Sequence, residues 1–126
     1  MDKSILKSIK KVVGVSPDYN VFDEDILLAI NTSLSTLNQL GIGPEGGFSV
    51  EDDSPTWSDY IGDDPNYNSI KTYVQLKTRL LFDPPANSII KGAIDDQLKE
   101  IEWRLNVRRE NDEWESPTIT TYPTMA

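Results

Sequence analysis

Three adjacent aspartate pairs, Asp52 with Asp53, Asp63 with Asp64 and Asp95 with Asp96, are the groups in this chain best suited to chemistry. Paired carboxylates supply the oxygen ligands that a hard cation such as magnesium or calcium takes. None of them follows the spacing D-x-[DN]-x-[DN]-G-x5-E of a calcium loop, so solvated acidic loops are expected and no metal or cofactor. Gly41, Gly43, Gly46 and Gly47 form a cluster, but no lysine follows and the neighbours are acidic, so a phosphate would be repelled and the glycines mark turns. Cysteine and histidine are both absent. That removes disulfides, thiol nucleophiles, Cys/His zinc sites and the usual general base near neutral pH. Asn31-Thr32-Ser33 has the form of a glycosylation acceptor but falls inside a helical pattern, where it reads as coincidence. No catalytic residue is nominated, and a non-enzymatic protein is expected.

Charge is more informative than chemistry. The net charge is −9, which disfavours direct binding to a nucleic-acid backbone. Residues 1–17 carry four lysines against Asp2, residues 18–70 carry eleven acids and no Lys or Arg, and residues 71–126 are nearly balanced. An acidic solvated surface is the plain reading. The functional one is a face turned toward a polyanion that must slide past, or toward a neighbour's basic segment. The basic Lys7, Lys10 and Lys11 and the acidic middle segment are candidate complements between neighbouring copies.

The elements that would position these groups are helices. With 126 residues a single domain is expected. No apolar run reaches the roughly 18 residues of a membrane span. MDKSILKSIKKVVG lacks the block structure of a secretory leader, so a soluble, cytoplasmic chain is expected. Ile5, Ile9, Val12 and Val13 fall on one side of a short helix, opposite Lys3, Lys7, Lys10 and Lys11, with Gly14 at its end. A second helix runs to Gly41, with Asp23 as N-cap, a Phe22–Leu27 staple and a core stripe of Leu27, Ile30, Leu34 and Leu37.

Gly41 to Pro55 is a Gly/Pro/acid-rich loop anchored by Phe48 and Val50. Thr56 and Asp59 have capping-box spacing ahead of a short helical turn. A further helix is expected from Pro65 to Phe82, with Ile70, Tyr73, Val74 and the core residues Leu80, Leu81 and Phe82; Asp83, standing before Pro84, must leave helical geometry. The last helix, capped by Asn87 or Ser88, carries the stripe Ile90, Ile94, Leu98, Ile101 and Leu105. The fold class is all-α, a bundle of about four to five helices occupying residues 1–107. Trp57 and Trp103 are expected in the core or at subunit contacts.

Beyond Val107 the helical period fails, and residues 108–126 read as an extended tail. Thr118, Ile119, Thr120, Thr121 and Tyr122 form a β-prone patch suited to strand addition on a partner, with Trp114 as an anchor at its entry.

LNQLGIGP (Leu37–Pro44), TWSDYIG (Thr56–Gly62), IKTYVQLKTRLLFDPP (Ile70–Pro85) and KEIEWRLNV (Lys99–Val107), in this order, resemble the small head-tail connector (adaptor) proteins of long-tailed double-stranded-DNA bacteriophages. The resemblance covers nearly all of residues 1–107, and it is weakest from Arg108 onward. It implies a structural head-completion protein that assembles in the bacterial cytoplasm, ends in the virion and forms a ring, generally dodecameric, beneath the portal. Its implied partners are the portal protein, the next head-completion or tail protein, and further copies of itself. DNA would pass through the channel without specific binding. The alternative is an acidic helical DNA mimic that occupies a nucleic-acid-binding protein.

Overall fold

The computed structural model of the chain describes residues 4–114, with side chains described for residues 4–107. Five helices follow in order: α1 (Ile5–Val12), α2 (Asp23–Gln39), α3 (Trp57–Ile61), α4 (Tyr67–Phe82) and α5 (Ser88–Trp114). The described residues contain no strand, and a single antiparallel bridge joins Ser4 to Thr56. α4 packs on both α2 and α5, and α1 closes against α2 and α4. The all-α bundle expected from the sequence is the fold observed.

Helix ends follow local chemistry. α1 begins where Ser4 Oγ accepts from Lys7 N at 3.2 Å. It ends where Gly14 takes a positive φ of 82°, which lets Val15 N donate to Lys10 O at 2.8 Å and Gly14 N to Lys11 O at 3.3 Å. α2 stops in the same way, with Gly41 N donating to Asn38 O and Ile42 N to Leu37 O, both at 3.0 Å. There the turn drives Ile42 into the core. The Thr56–Asp59 capping box is complete. Asp83 leaves helical geometry ahead of Pro84, at φ −145° and ψ 72°, and ends α4. Asn87 Oδ1 opens α5 by accepting from Ile89 N at 2.8 Å and Ile90 N at 3.2 Å.

Several expectations are corrected by how the helices face. In α1 the buried set is Ile5, Leu6, Ile9 and Lys10, while Val12 is exposed. The helix seats a face one step round from the one that residue type alone suggests, so Lys10 points inward. Asp23 is not the N-cap of α2; Phe22 holds that position without a side-chain hydrogen bond. In α2, Ile26, Ile30, Leu34 and Leu37 are buried whereas Leu27 is only partly covered. α4 starts at Tyr67, after a turn at Pro65 and Asn66. Its closing residues were expected to be core, yet Leu80 and Phe82 are half-buried and Leu81 is 49% exposed. The physical reason is position: the inward row of α4 is Ile70, Tyr73, Val74 and Thr78, and one further turn brings Leu81 to an open groove beside α2. Ile90 is likewise half exposed, although Ile94, Leu98, Ile101 and Leu105 bury as expected. Trp57 is fully buried, but Trp103 is 65% exposed and is no part of the core.

α5 also outruns its apolar stripe. It continues past Val107 to Trp114, where RRENDEW offers good helix formers in place of apolar periodicity. The tail expected from residue 108 therefore begins, in its first turns, as helix.

α4 and α5 are joined by more than apolar contact. Tyr73 Oη donates to Glu102 Oε2 at 2.6 Å. Burial pushes the Tyr73 phenol well above its ordinary range, and the adjacent Glu102 carboxylate adds to the shift, so the hydroxyl stays a donor. Tyr73→Phe is expected to cost about 1.5–3 kcal/mol, the range for a hydrogen bond to a charged group, measured by urea denaturation.

Candidate assembly surfaces

Two of the three carboxylate pairs contribute to turns. Asp52 Oδ1 accepts from Ser54 N at 2.9 Å and from the Ser54 hydroxyl. The hydroxyl, and secondarily the backbone amide, hold the Asp52 carboxyl below its ordinary value. Asp64 Oδ1 accepts from Asn66 N at 2.7 Å in the turn leading into α4. Asp96 is solvent-exposed on the outer side of α5. Among the described residues no group of three or more acidic, His or Cys side chains is arranged to hold a metal ion. The glycine-rich loop is tied down by polar bonds instead: Asn31 Nδ2 donates to Val50 O at 3.0 Å, and Val50 N donates to Asn31 Oδ1 at 2.8 Å. The side-chain amide thus stands in for a strand partner and delivers Val50 to the core. Phe48, the other expected anchor, packs on Tyr60 with ring centroids 5.1 Å apart.

The three lysines nominated for a ring interface separate into three roles. Lys10 is 1% exposed. Its Nζ lies 2.8 Å from Asp23 Oδ1 and donates to Pro17 O at 3.1 Å and Asn20 Oδ1 at 3.2 Å. It is an internal strut that joins α1 to the turn before α2, and its nomination as a surface contact is corrected. Lys7 Nζ stands 3.7 Å from Asp53 Oδ2, both side chains being more than half exposed, so one basic–acidic pairing expected between subunits occurs within the protomer. Lys11 is exposed and has no partner among the described residues. Of the tail residues nominated for docking, Trp114 is the last residue of α5, and its side chain lies outside the described residues. Thr118, Ile119, Thr120, Thr121 and Tyr122 lie outside them altogether.

The structure also brings together groups that the sequence left apart. A groove of about 760 Å³ runs between the end of α1, the outer side of α2 and the end of α4. Val13, Val15, Phe22, Leu28, Leu81 and Phe82 line it, with Asp25 and Asp83 among them. Phe22 meets Phe82 edge-on at 5.7 Å and Tyr19 at 5.8 Å, so the aromatic wall is braced by its own contacts. The signal that could have found it is the excess of apolar residues over what each helix can bury: Leu28 sits off the stripe of α2, and Leu81 continues the row of α4 beyond Thr78 without being buried.

No helix of the described residues is long and apolar enough to cross a membrane. No curated protein and no solved structure matches the chain. A family model described as "Phage connector protein" matches residues 5–112, from the first residue of α1 into the last turn of α5. With an all-helical bundle beneath that match, the chain belongs to the phage connector protein family.

Proposed function

We propose that this chain is a non-enzymatic head-completion protein that assembles as a ring, generally dodecameric, beneath the portal, extends the DNA channel and presents a surface to the next head-completion or tail protein. The observation that carries the proposal is the family match over residues 5–112. The charge distribution supports it: residues 18–70 contain eleven acids and no Lys or Arg, and a negative wall lets DNA pass without adhering. Assembly takes place in the host cytoplasm and the finished ring resides in the virion. Residues 118–122 add as a strand to the portal, or failing that to an adjacent connector subunit, with Trp114 at the point of entry. Lys11 is the lysine of α1 left available for a neighbouring subunit.

Electron microscopy of the purified chain, alone and with portal-bearing heads, tests this reading. Rings are expected in at least one of the two conditions. A chain that stays monomeric in both, and instead competes with DNA for a nucleic-acid-binding protein, would establish the DNA-mimic alternative. In the same assay a chain ending at Trp114 is expected to remain helical but to be lost from heads on washing. Equal retention of the shortened and full chains would remove the docking role of the tail.

A further inference from the structure

Among the apolar features left uncovered on the described surface, two are opposite in shape and in charge. The first is the concave groove with Phe22, Leu28 and Leu81 in its walls. Leu28 is 69% exposed, and no packing within the protomer accounts for a leucine there. Asp25 and Asp83 stand in the same lining, and neither has an ion-pair partner among the described residues. The second feature is convex, the first turn of α5. Ile89 is 80% exposed and Ile90 about half exposed. Lys91 follows them, also without an ion-pair partner among the described residues, and no acid lies in this turn.

We propose that the groove of one copy is the socket for the first turn of α5 of a second copy. Ile89 and Ile90 enter against Phe22, Leu28 and Leu81, and Lys91 faces Asp25 and Asp83. The proposal rests on the ring reading above and names the surface through which the ring closes. Charge complementarity selects the occupant: an apolar plug followed by a cation meets an apolar socket that contains two anions, which sets orientation as well as attraction. The plug does not fill its own groove, since neither Ile89 nor Ile90 lines it. The connection between α4 and α5 contains Pro84 and Pro85, which stiffen it and hold socket and plug apart. Two different surfaces of one protomer then meet head to tail, the interface type that generates rings when its rotation closes.

The test uses the full chain in sedimentation-velocity runs, with circular dichroism as the check on folding. Leu28→Asp spoils the socket and Ile89→Asp spoils the plug, both at exposed positions, so helix content is expected to be unchanged. Each variant is expected to weaken self-association at least about tenfold, or about 1.4 kcal/mol. Mixed together, they should form one-to-one complexes that grow no further, because the intact plug of one fills the intact socket of the other and only spoiled surfaces remain. Lys91→Glu should weaken assembly and Asp83→Lys in the same chain should restore it; this pair changes no apolar side chain and still reads the contact if an aspartate variant loses helix. Rings that form undiminished from both aspartate variants would overturn the socket and leave the ring reading standing. Rings that persist but no longer hold to portal would also overturn it, assigning the groove to the portal. A native chain that stays monomeric with and without portal would overturn both.

Discussion

Trp57→Ala is expected to destabilise the protein by about 3–5 kcal/mol, the range for deleting a large buried aromatic side chain. Trp57 is fully buried, and it holds together elements far apart in sequence. Its indole Nε1 donates to Ser8 Oγ at 2.9 Å, and that hydroxyl donates to Ser4 O at 2.6 Å. Beside it, Ile5 N donates to Pro55 O at 3.0 Å. Alanine would open a cavity between α1, α3 and α4 and remove the donor to Ser8. Trp57→Phe separates the two effects: most of the volume stays and one neutral hydrogen bond goes, worth about 0.5–1.5 kcal/mol, so most of the loss should be recovered. Urea unfolding of both variants, compared at unchanged denaturant slope, measures the difference. A loss below about 1 kcal/mol for Trp57→Ala would show that α3 does not anchor the bundle.

Reversing the charge of Lys10 should be nearly as damaging, about 3–5 kcal/mol, since one partner of a buried ion pair is removed and a like charge takes its place. Lys10→Glu would bring a second carboxylate up to Asp23 and leave Pro17 O and Asn20 Oδ1 without their donor. Lys10→Met, which keeps the apolar stem, should cost less, because Asp23 is 27% exposed and can turn to water. Lys7 is the control on the same helix. Its pair with Asp53 is exposed at 3.7 Å, and Lys7→Glu is expected to change stability by less than about 1 kcal/mol, an effect that salt diminishes further. Thermal and urea denaturation of the three variants gives the ordering. If Lys7→Glu proves as costly as Lys10→Glu, the strut role assigned to Lys10 is wrong.

Lys7 and Lys10 also show where sequence reasoning stops. Both belong to ILKSIKKV, and periodicity treats them alike as the polar side of an amphipathic helix. The turn after α1 brings Pro17 and Asn20 over the helix and α2 brings Asp23. Together they supply enough polar partners to bury an ammonium. Nothing in the local pattern encodes that meeting. Asn31 is a parallel case: as part of Asn-Thr-Ser it looks incidental, yet it forms both hydrogen bonds that hold Val50 in place across the loop.

What the sequence determined by itself is local and one-dimensional. Gly14 and Gly41 ended α1 and α2, Thr56 and Asp59 capped α3, Pro84 stopped α4, and Asn87 started α5. The motifs from Leu37 to Val107 already carried the family resemblance, because capping, steric exclusion before proline and helical periodicity act between residues a few positions apart. The tertiary structure alone decided which side of each helix turned inward. It placed Lys10 inside, left Leu28, Leu81, Ile89 and Trp103 outside, and set the end of α1, the flank of α2 and the end of α4 around one groove. Those outcomes depend on the rotation of each helix about its axis and on where one helix runs past the end of another. A periodic sequence constrains such quantities only to within about one residue's turn, roughly 100°, and packing against the other helices settles them.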